Sequence, residues 1–275
     1  MEGLNLYSVQ SELTETKEIV LLNQKCCYEQ KVLLLVKNSE TFLSGLQATY
    51  YFLQTNNYVF KTLVYIEKVD STGYTKLNGS VSPTKLVLNY FLKNLNNLPG
   101  DSLNLYIFAR SQPQYLFVDS SLNKEKNVLS EKSLIKWWKF NLSNAFNDRN
   151  CNSFWFIPNE DINDLKEFYV KDDNLLDSKE KSKGLKWAFG WPYKDFEIAS
   201  QCFPKFPDDP KVKALDLLTE SQTVKQFSEV LGCLGEFSSC RMAGFFNIEL
   251  KTAEPNPSKV RTGTLQRVFA KSKSF

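Results

Sequence analysis

The 275-residue sequence predicts an α/β (α+β) fold: a central mixed β-sheet surrounded by α-helices, formed as a single domain over residues 1–275. Three observations predict it. Short aromatic and β-branched runs alternate with stretches of helical periodicity. Hydrophobic residues make up 42% of the chain, enough for a large core. No Pro/Gly/Ser-rich tract, long charge run or internal repeat divides the sequence.

The elements follow in order. KVLLLV, residues 31–36, is an apolar run bounded by polar residues and predicts a buried strand. QATYYFLQTNNYVFKTLVYIEKV, residues 47–69, is dense in Tyr, Phe, Val and Thr. TNN breaks it, so it predicts a hairpin whose second strand ends at Asp70. The next element is a helix, with Ser82 as N-cap, Pro83 at the first helical position and apolar residues at 87, 90, 91 and 95. LNLYIFA, residues 103–109, predicts another buried strand. A second long helix starts at Ser130, carrying Leu134, Trp137, Trp138, Leu142 and Phe146 near helical spacing. A third helix is expected over 158–170, opened by Pro158 and Asn159 and acidic in its first turn. After a turn at FPDDP, helices at 211–218 and 223–234 and a strand at 241–250 complete the chain.

Composition narrows the chemistry. There is no histidine, which excludes Ser-His and Cys-His nucleophile systems and leaves Asp, Glu, Tyr, Cys, Lys or water as bases. The formal charge of +3 is too small for a dedicated nucleic-acid surface. Six cysteines at 26, 27, 151, 202, 233 and 240 form no Cys-x-x-Cys pair and predict buried thiols in a reducing compartment. The acidic N-terminus is unlike a signal peptide, and VLLLV at 32–36 is too short to span a bilayer, so a soluble intracellular protein is expected. Arg261, Arg267, Lys271 and Lys273 make a basic tail whose plainer reading is a solvated terminus.

Three features carry candidate chemistry. Asp208 and Asp209 lie between prolines, a rigid mount that suits a ligand-positioning carboxylate, a helix N-cap or half of a magnesium site. Trp137 and Trp138 point about 100° apart on a helix, so one packs in the core and the other packs beside it or lines a pocket. Arg110 follows a buried strand, outside its carboxyl end, where α/β sheets place ligands.

VDSTGY (69–74), FARSQPQYLFVDSS (108–121), the Trp-Trp pair and FPKFPDDPK (203–211), in that order, resemble the signature segments of the fungal histone H3 lysine acetyltransferases of the regulator of Ty transposition family. The resemblance runs from about residue 47 to about 250. It implies a fold like that of the CBP-type acetyltransferases, and a nuclear enzyme that transfers the acetyl group of acetyl-coenzyme A directly to lysines of histone H3. By resemblance, Phe108, Ala109, Arg110 and Lys126 bind acetyl-coenzyme A. Tyr115 and Trp138 line the tunnel for the substrate lysine, and Asp70 lies at the active site. Asp208 and Asp209 join Asp70 and Trp138 in the catalytic set, and Lys211 is autoacetylated and buried against Asp209. The implied partners are histone H3 with its histone partner and chaperones of the NAP and anti-silencing families. No metal, direct nucleic-acid contact or membrane is implied.

Where relatives carry a long insertion between the first long helix and the FAR strand, this chain has NNLPGDS, and its C-terminal part is shorter than in the family. Two other readings stand beside the enzyme: an impaired family member that binds histone or chaperone, and a metal-dependent enzyme built on Asp208 and Asp209. The implied chemistry is physically coherent. A lysine with a reference pKa of about 10.4 must lose a proton before attacking a thioester, and a dry aromatic tunnel favours the neutral amine. Asp70 would position the substrate or relay its proton, and holding amine and thioester together can contribute about 7–11 kcal/mol.

Overall fold

Tyr50, Tyr51, Phe52 and Leu53 are consecutive and all buried, which requires a strand covered on both faces. The computed structural model describes residues 4–16, 27–55, 58–74, 82–147, 149–168, 185–238 and 242–251, with the backbone of 273–274. Its strands are β1 (Asn5–Gln10), β2 (Thr14–Glu15), β3 (Cys27–Lys37), β4 (Phe42–Thr55), β5 (Tyr58–Ser71), β6 (Ser102–Ala109), β7 (Cys151–Phe156), β8 (Trp187–Phe189), β9 (Gly244–Lys251) and β10 (Lys273–Ser274). The helices are α1 (Pro83–Asn94), α2 (Glu131–Ala145), α3 (Ala199–Cys202), α4 (Pro210–Asp216), α5 (Val224–Cys233) and α6 (Gly235–Ser238). The strands form one mixed sheet in the order β10-β1-β3-β4-β5-β6-β9-β7-β8, with β2 beside β3.

Alternation along β4 assigns its side chains to two layers. Tyr50 and Phe52 enter a core shared with Phe91 and Leu92 of α1 and with Ile135, Trp138 and Leu142 of α2. Tyr51 and Leu53 face the opposite layer, where Leu63, Tyr65, Tyr106 and Phe206 pack. Burying a ring such as Phe91, 2% exposed, contributes about 1.5–3 kcal/mol. Next to that second layer, α3, α4, α5 and α6 form a further cluster through Ala199, Leu215, Phe227 and Phe237, packed against Phe245 of β9.

The pair β5/β6 is parallel, unlike its antiparallel neighbours, and α1 lies on the crossover between the two strands. Both strands therefore end on the same edge of the sheet, which positions the site described below. Pro83 opens α1 as expected, but Ser82 makes no side-chain cap. Ser130 does cap α2, accepting from Ser133 N at 3.3 Å. Thr223 and Gln226 cap α5 reciprocally.

The helix expected over 158–170 does not form in its described part. Residues 158–165 are turns, only Lys166–Phe168 forms a 3-10 segment, and 169–170 lie outside the described residues. Asn159 is left-handed (φ 64), and the Asp161 carboxylate accepts from Asn163 N at 2.8 Å, a local bond that competes with the helix ladder. Asn159 Nδ2 also donates to Gly232 O at 2.9 Å, tying the turn to α5. Strands β1, β7 and β8 were not expected from sequence patterning. Cys27 is buried as expected, whereas Cys151 and Cys202 are only half-buried and Cys233 is exposed. Cys26, Cys240, Asn56, Asn57 and the tail side chains Arg261, Arg267, Lys271 and Lys273 lie outside the described residues.

Candidate active site

At the carboxyl ends of β5 and β6 the sheet opens into a cleft of about 450 Å³. Ile66 to Ser71 of β5 and Phe108 to Arg110 at the end of β6 form one part of its lining. Pro83 and Thr84 of α1 and Leu134, Trp137 and Trp138 of α2 form another, and loop residues including Tyr115 and Glu125 to Leu129 add a third. Six residues singled out in the sequence, Asp70, Phe108, Ala109, Arg110, Tyr115 and Lys126, thus meet Trp138 in one cavity.

Asp70 is the organiser of this cleft. Its Oδ2 accepts from the backbone amides of Tyr115 (3.0 Å), Leu116 (2.9 Å) and Phe117 (3.3 Å), so the loop after β6 hangs from the end of β5. Its Oδ1 accepts from Ser71 N at 2.9 Å and pairs with Lys126 Nζ at 2.7 Å. Lys126 Nζ also donates to Ser120 Oγ at 2.8 Å. Burial by itself would raise the Asp70 pKa, but the Lys126 ammonium and the three amides outweigh it and hold the carboxyl below its usual value. Asp70 and Lys126, expected to serve substrate and cofactor separately, are therefore partners in one buried ion pair. Lys126 presents little free charge to the cavity.

Gly73 makes that pairing possible. It is left-handed (φ 81), and a Cβ there would sit 2.8 Å from both Lys126 N and Lys126 Cβ. Asn123 Nδ2 donates to Thr72 O at 2.9 Å, closing the same corner.

The tyrosine hydroxyl is also committed. Tyr115 OH donates to the Arg110 carbonyl, and its pKa is pushed up to about 12, first by burial and then by Asp70, against the lowering influence of Arg110. At neutral pH it offers the cavity a ring and no free phenolate. Trp138 is 5% exposed and contacts Trp137 edge-to-face at 5.1 Å; both indoles line the cleft, where sequence reasoning expected one core and one pocket residue or two core residues. Arg110 forms a 3.7 Å ion pair with Glu236.

The acid pair lies outside the lining. Asp208 is an exposed, left-handed turn residue (φ 61), and Asp209 caps α4, accepting from Lys211 N at 2.9 Å. Asp209 also receives the Lys211 ammonium, and both side chains are buried. Lys211 Nζ lies 4.8 Å from the Phe245 ring, which stacks at 4.9 Å on Phe108 of the cleft wall. Two aromatic rings thus stand between the pair and the cavity along this path. Among the described residues, no three Cys, Asp or Glu side chains are grouped to hold a metal ion.

Sequence reasoning missed Glu67 and Lys68, which also line the cleft. A β-bulge between Gln47 and Ala48 leaves Glu67 without a cross-strand partner, and such an insertion has no reliable signature in the residues themselves. Lys68 forms no ion pair among the described residues.

The chain is 27% identical over 240 residues to histone acetyltransferase rtt109 of Schizosaccharomyces pombe, covering 80% of this chain and 59% of the relative. It is 27% identical over 236 residues to histone acetyltransferase rtt109 of Aspergillus flavus, covering 67% and 41%. The chain therefore spans about half the length of these relatives. It superposes on the crystal structure of Rtt109 from Aspergillus fumigatus with a TM-score of 0.74 and 22% identity, over 93% of this chain and 77% of the other, so the fold is shared. Residues 92–274, well over half of the sequence, match the histone acetyltransferase KAT11-type domain, and the chain belongs to that family.

Proposed function

We propose that this chain is one acetyltransferase domain that moves the acetyl group of acetyl-coenzyme A directly to lysine side chains of histone H3. The observation that carries the reading is the meeting of Trp138, Tyr115 and Asp70 with the Phe108–Arg110 strand end in one cleft. Acetyl-coenzyme A supplies the thioester: the amine nitrogen gains a bond to its carbonyl carbon, the carbon–sulfur bond breaks, and an amine proton ends on the departing sulfur.

The lining suits a ligand that is anionic at one end and apolar along its arm. Arg110 and Lys68 supply cationic charge, while Phe108, Val128, Leu129 and Trp137 supply apolar wall. Trp138 and the Tyr115 ring strip water from an entering lysine and favour its neutral form. Asp70 acts here by fixing the wall, because its oxygens are already engaged by amides and by Lys126. Lys211 is the autoacetylated residue: acetylation removes a buried charge, and the acetamide still offers an N–H to Asp209. Histone H3 with its histone partner, delivered by chaperones of the NAP and anti-silencing families, is the substrate, and the nucleus is the place of action.

The test incubates the protein with labelled acetyl-coenzyme A and histone H3 bound to a chaperone. Label should enter H3, fall sharply in Trp138→Ala, and be unaffected by a chelator. H3 binding without incorporation would favour a non-catalytic binding module. Loss of incorporation on chelation would favour metal-dependent chemistry.

A further inference from the structure

Three carboxylates line the cleft: Glu67, Asp70 and Glu125. Asp70 is saturated by four amides and an ammonium. Glu125 is exposed and belongs to the turn that follows Asn123. Glu67 differs from both.

It occupies the unpaired position of the bulge, on the face of β5 that carries Tyr65, and lines the cavity. Thr49 Oγ1 donates to its Oε1 and Gln47 Nε2 to its Oε2, one neutral donor on each oxygen. A carboxylate has about four acceptor sites, so each oxygen retains capacity for another donor. Glu67 forms no ion pair among the described residues, and even its chain neighbour Lys68 does not pair with it. A half-buried carboxylate oriented by neutral groups and lacking a counter-ion is arranged to receive a cation from a ligand. Nearby, the Tyr65 hydroxyl pKa is raised first by burial and then by Asp209, Glu67 and Asp208, which places negative field on this side of the strand.

We infer that Glu67 is the substrate-binding residue that accepts a hydrogen bond from the incoming lysine ammonium and holds its nitrogen in the cleft. This assignment rests on the acetyltransferase reading above. Glu67→Gln is the discriminating variant, since a glutamine can still accept from Thr49 while losing the charge.

Two measurements are made on wild type and Glu67→Gln: steady-state kinetics with an H3 peptide, and calorimetric binding of that peptide, with its target lysine free or acetylated, to the coenzyme A complex. Expected are a KM for peptide raised about tenfold or more, as befits loss of a charge-assisted bond, an acetyl-coenzyme A KM within about twofold of wild type, and loss of the preference for free over acetylated lysine. If wild type transfers acetyl groups and the variant keeps its peptide KM and its binding preference, the Glu67 assignment is overturned and the enzyme reading stands. If wild type transfers nothing yet shows a preference for free lysine that Glu67→Gln abolishes, the enzyme reading falls and the site stands. If neither transfer nor preference is seen, both fall. Thermal melting confirms that the variant folds. Should it not, Glu67→Asp, which retains the charge but withdraws it by one methylene, must weaken the same preference or the assignment fails.

Discussion

Lys126 Nζ and Asp70 Oδ1, 56 residues apart in the chain, lie 2.7 Å from each other with side chains only 5% and 4% exposed. Removing either partner alone strands a buried charge, whereas removing both does not. Asp70→Ala should destabilise the protein by about 3–5 kcal/mol in urea unfolding. Asp70→Asn combined with Lys126→Met should recover much of that loss, giving a large coupling in a double-mutant cycle.

The same pair sets an acid limit. The Asp70 carboxyl is held below its ordinary value, so its contribution is fully present above the unfolded value of about 3.9 and is lost as pH falls through the lower folded value. Stability measured by thermal melting should therefore drop below about pH 4, and Asp70→Asn should remove part of that drop.

Tyr115 acts at the opposite end of the pH scale. Its folded pKa of about 12 lies above the usual tyrosine value, so the stability it adds is present below about pH 10 and disappears as pH rises through about 12. Tyr115→Phe should lose about 1 kcal/mol through the Arg110 carbonyl bond. With the ring retained, acetyl transfer should fall far less than in Tyr115→Ala, as measured by initial rates.

Gly73→Ala should damage the cleft without touching any charged group. Its positive φ and the 2.8 Å approach to the Lys126 backbone leave no room for a methyl group. The expected loss is about 1–3 kcal/mol in chemical unfolding, with a weakened Asp70–Lys126 coupling in the Gly73→Ala background.

At the start of α4, Asp209→Ala removes a cap worth about 1 kcal/mol and leaves the Lys211 ammonium buried without its partner, for a total of about 4–6 kcal/mol. Lys211→Met combined with Asp209→Asn should unfold near the wild-type denaturant midpoint. Mass spectrometry of protein purified with and without acetyl-coenzyme A checks the acetylation of Lys211 directly.

Long periodic segments were legible in the sequence. The β4/β5 hairpin, α1, α2, α4 and α5 were expected from the sequence, although Ser82, read as the N-cap of α1, makes no side-chain cap. β7 and β8 are short and lack a sustained period, and β1 presents mostly exposed side chains, so patterning gave them too little weight. The 158–170 segment was read as a helix because its acidic start mimics a first turn, while Asn159 and Asp161 make local bonds that end it. At the site, motif resemblance identified Tyr115, Trp138 and Asp70 as candidates. It could not reveal that Asp70 and Lys126 neutralise each other, since nothing local links positions so far apart. Glu67 stayed hidden because a register slip in a ladder depends on the partner strand.

The suspension of residues 115–117 from one carboxylate gives a stretch without regular secondary structure the mechanical character of a rung of the sheet. Those three amide protons should trade for deuterium far more slowly than others in the segment between β6 and α2, and should all speed up together when position 70 is changed. A ligand entering the cleft would press against a wall that is already set, so little ordering entropy remains to be lost on that side.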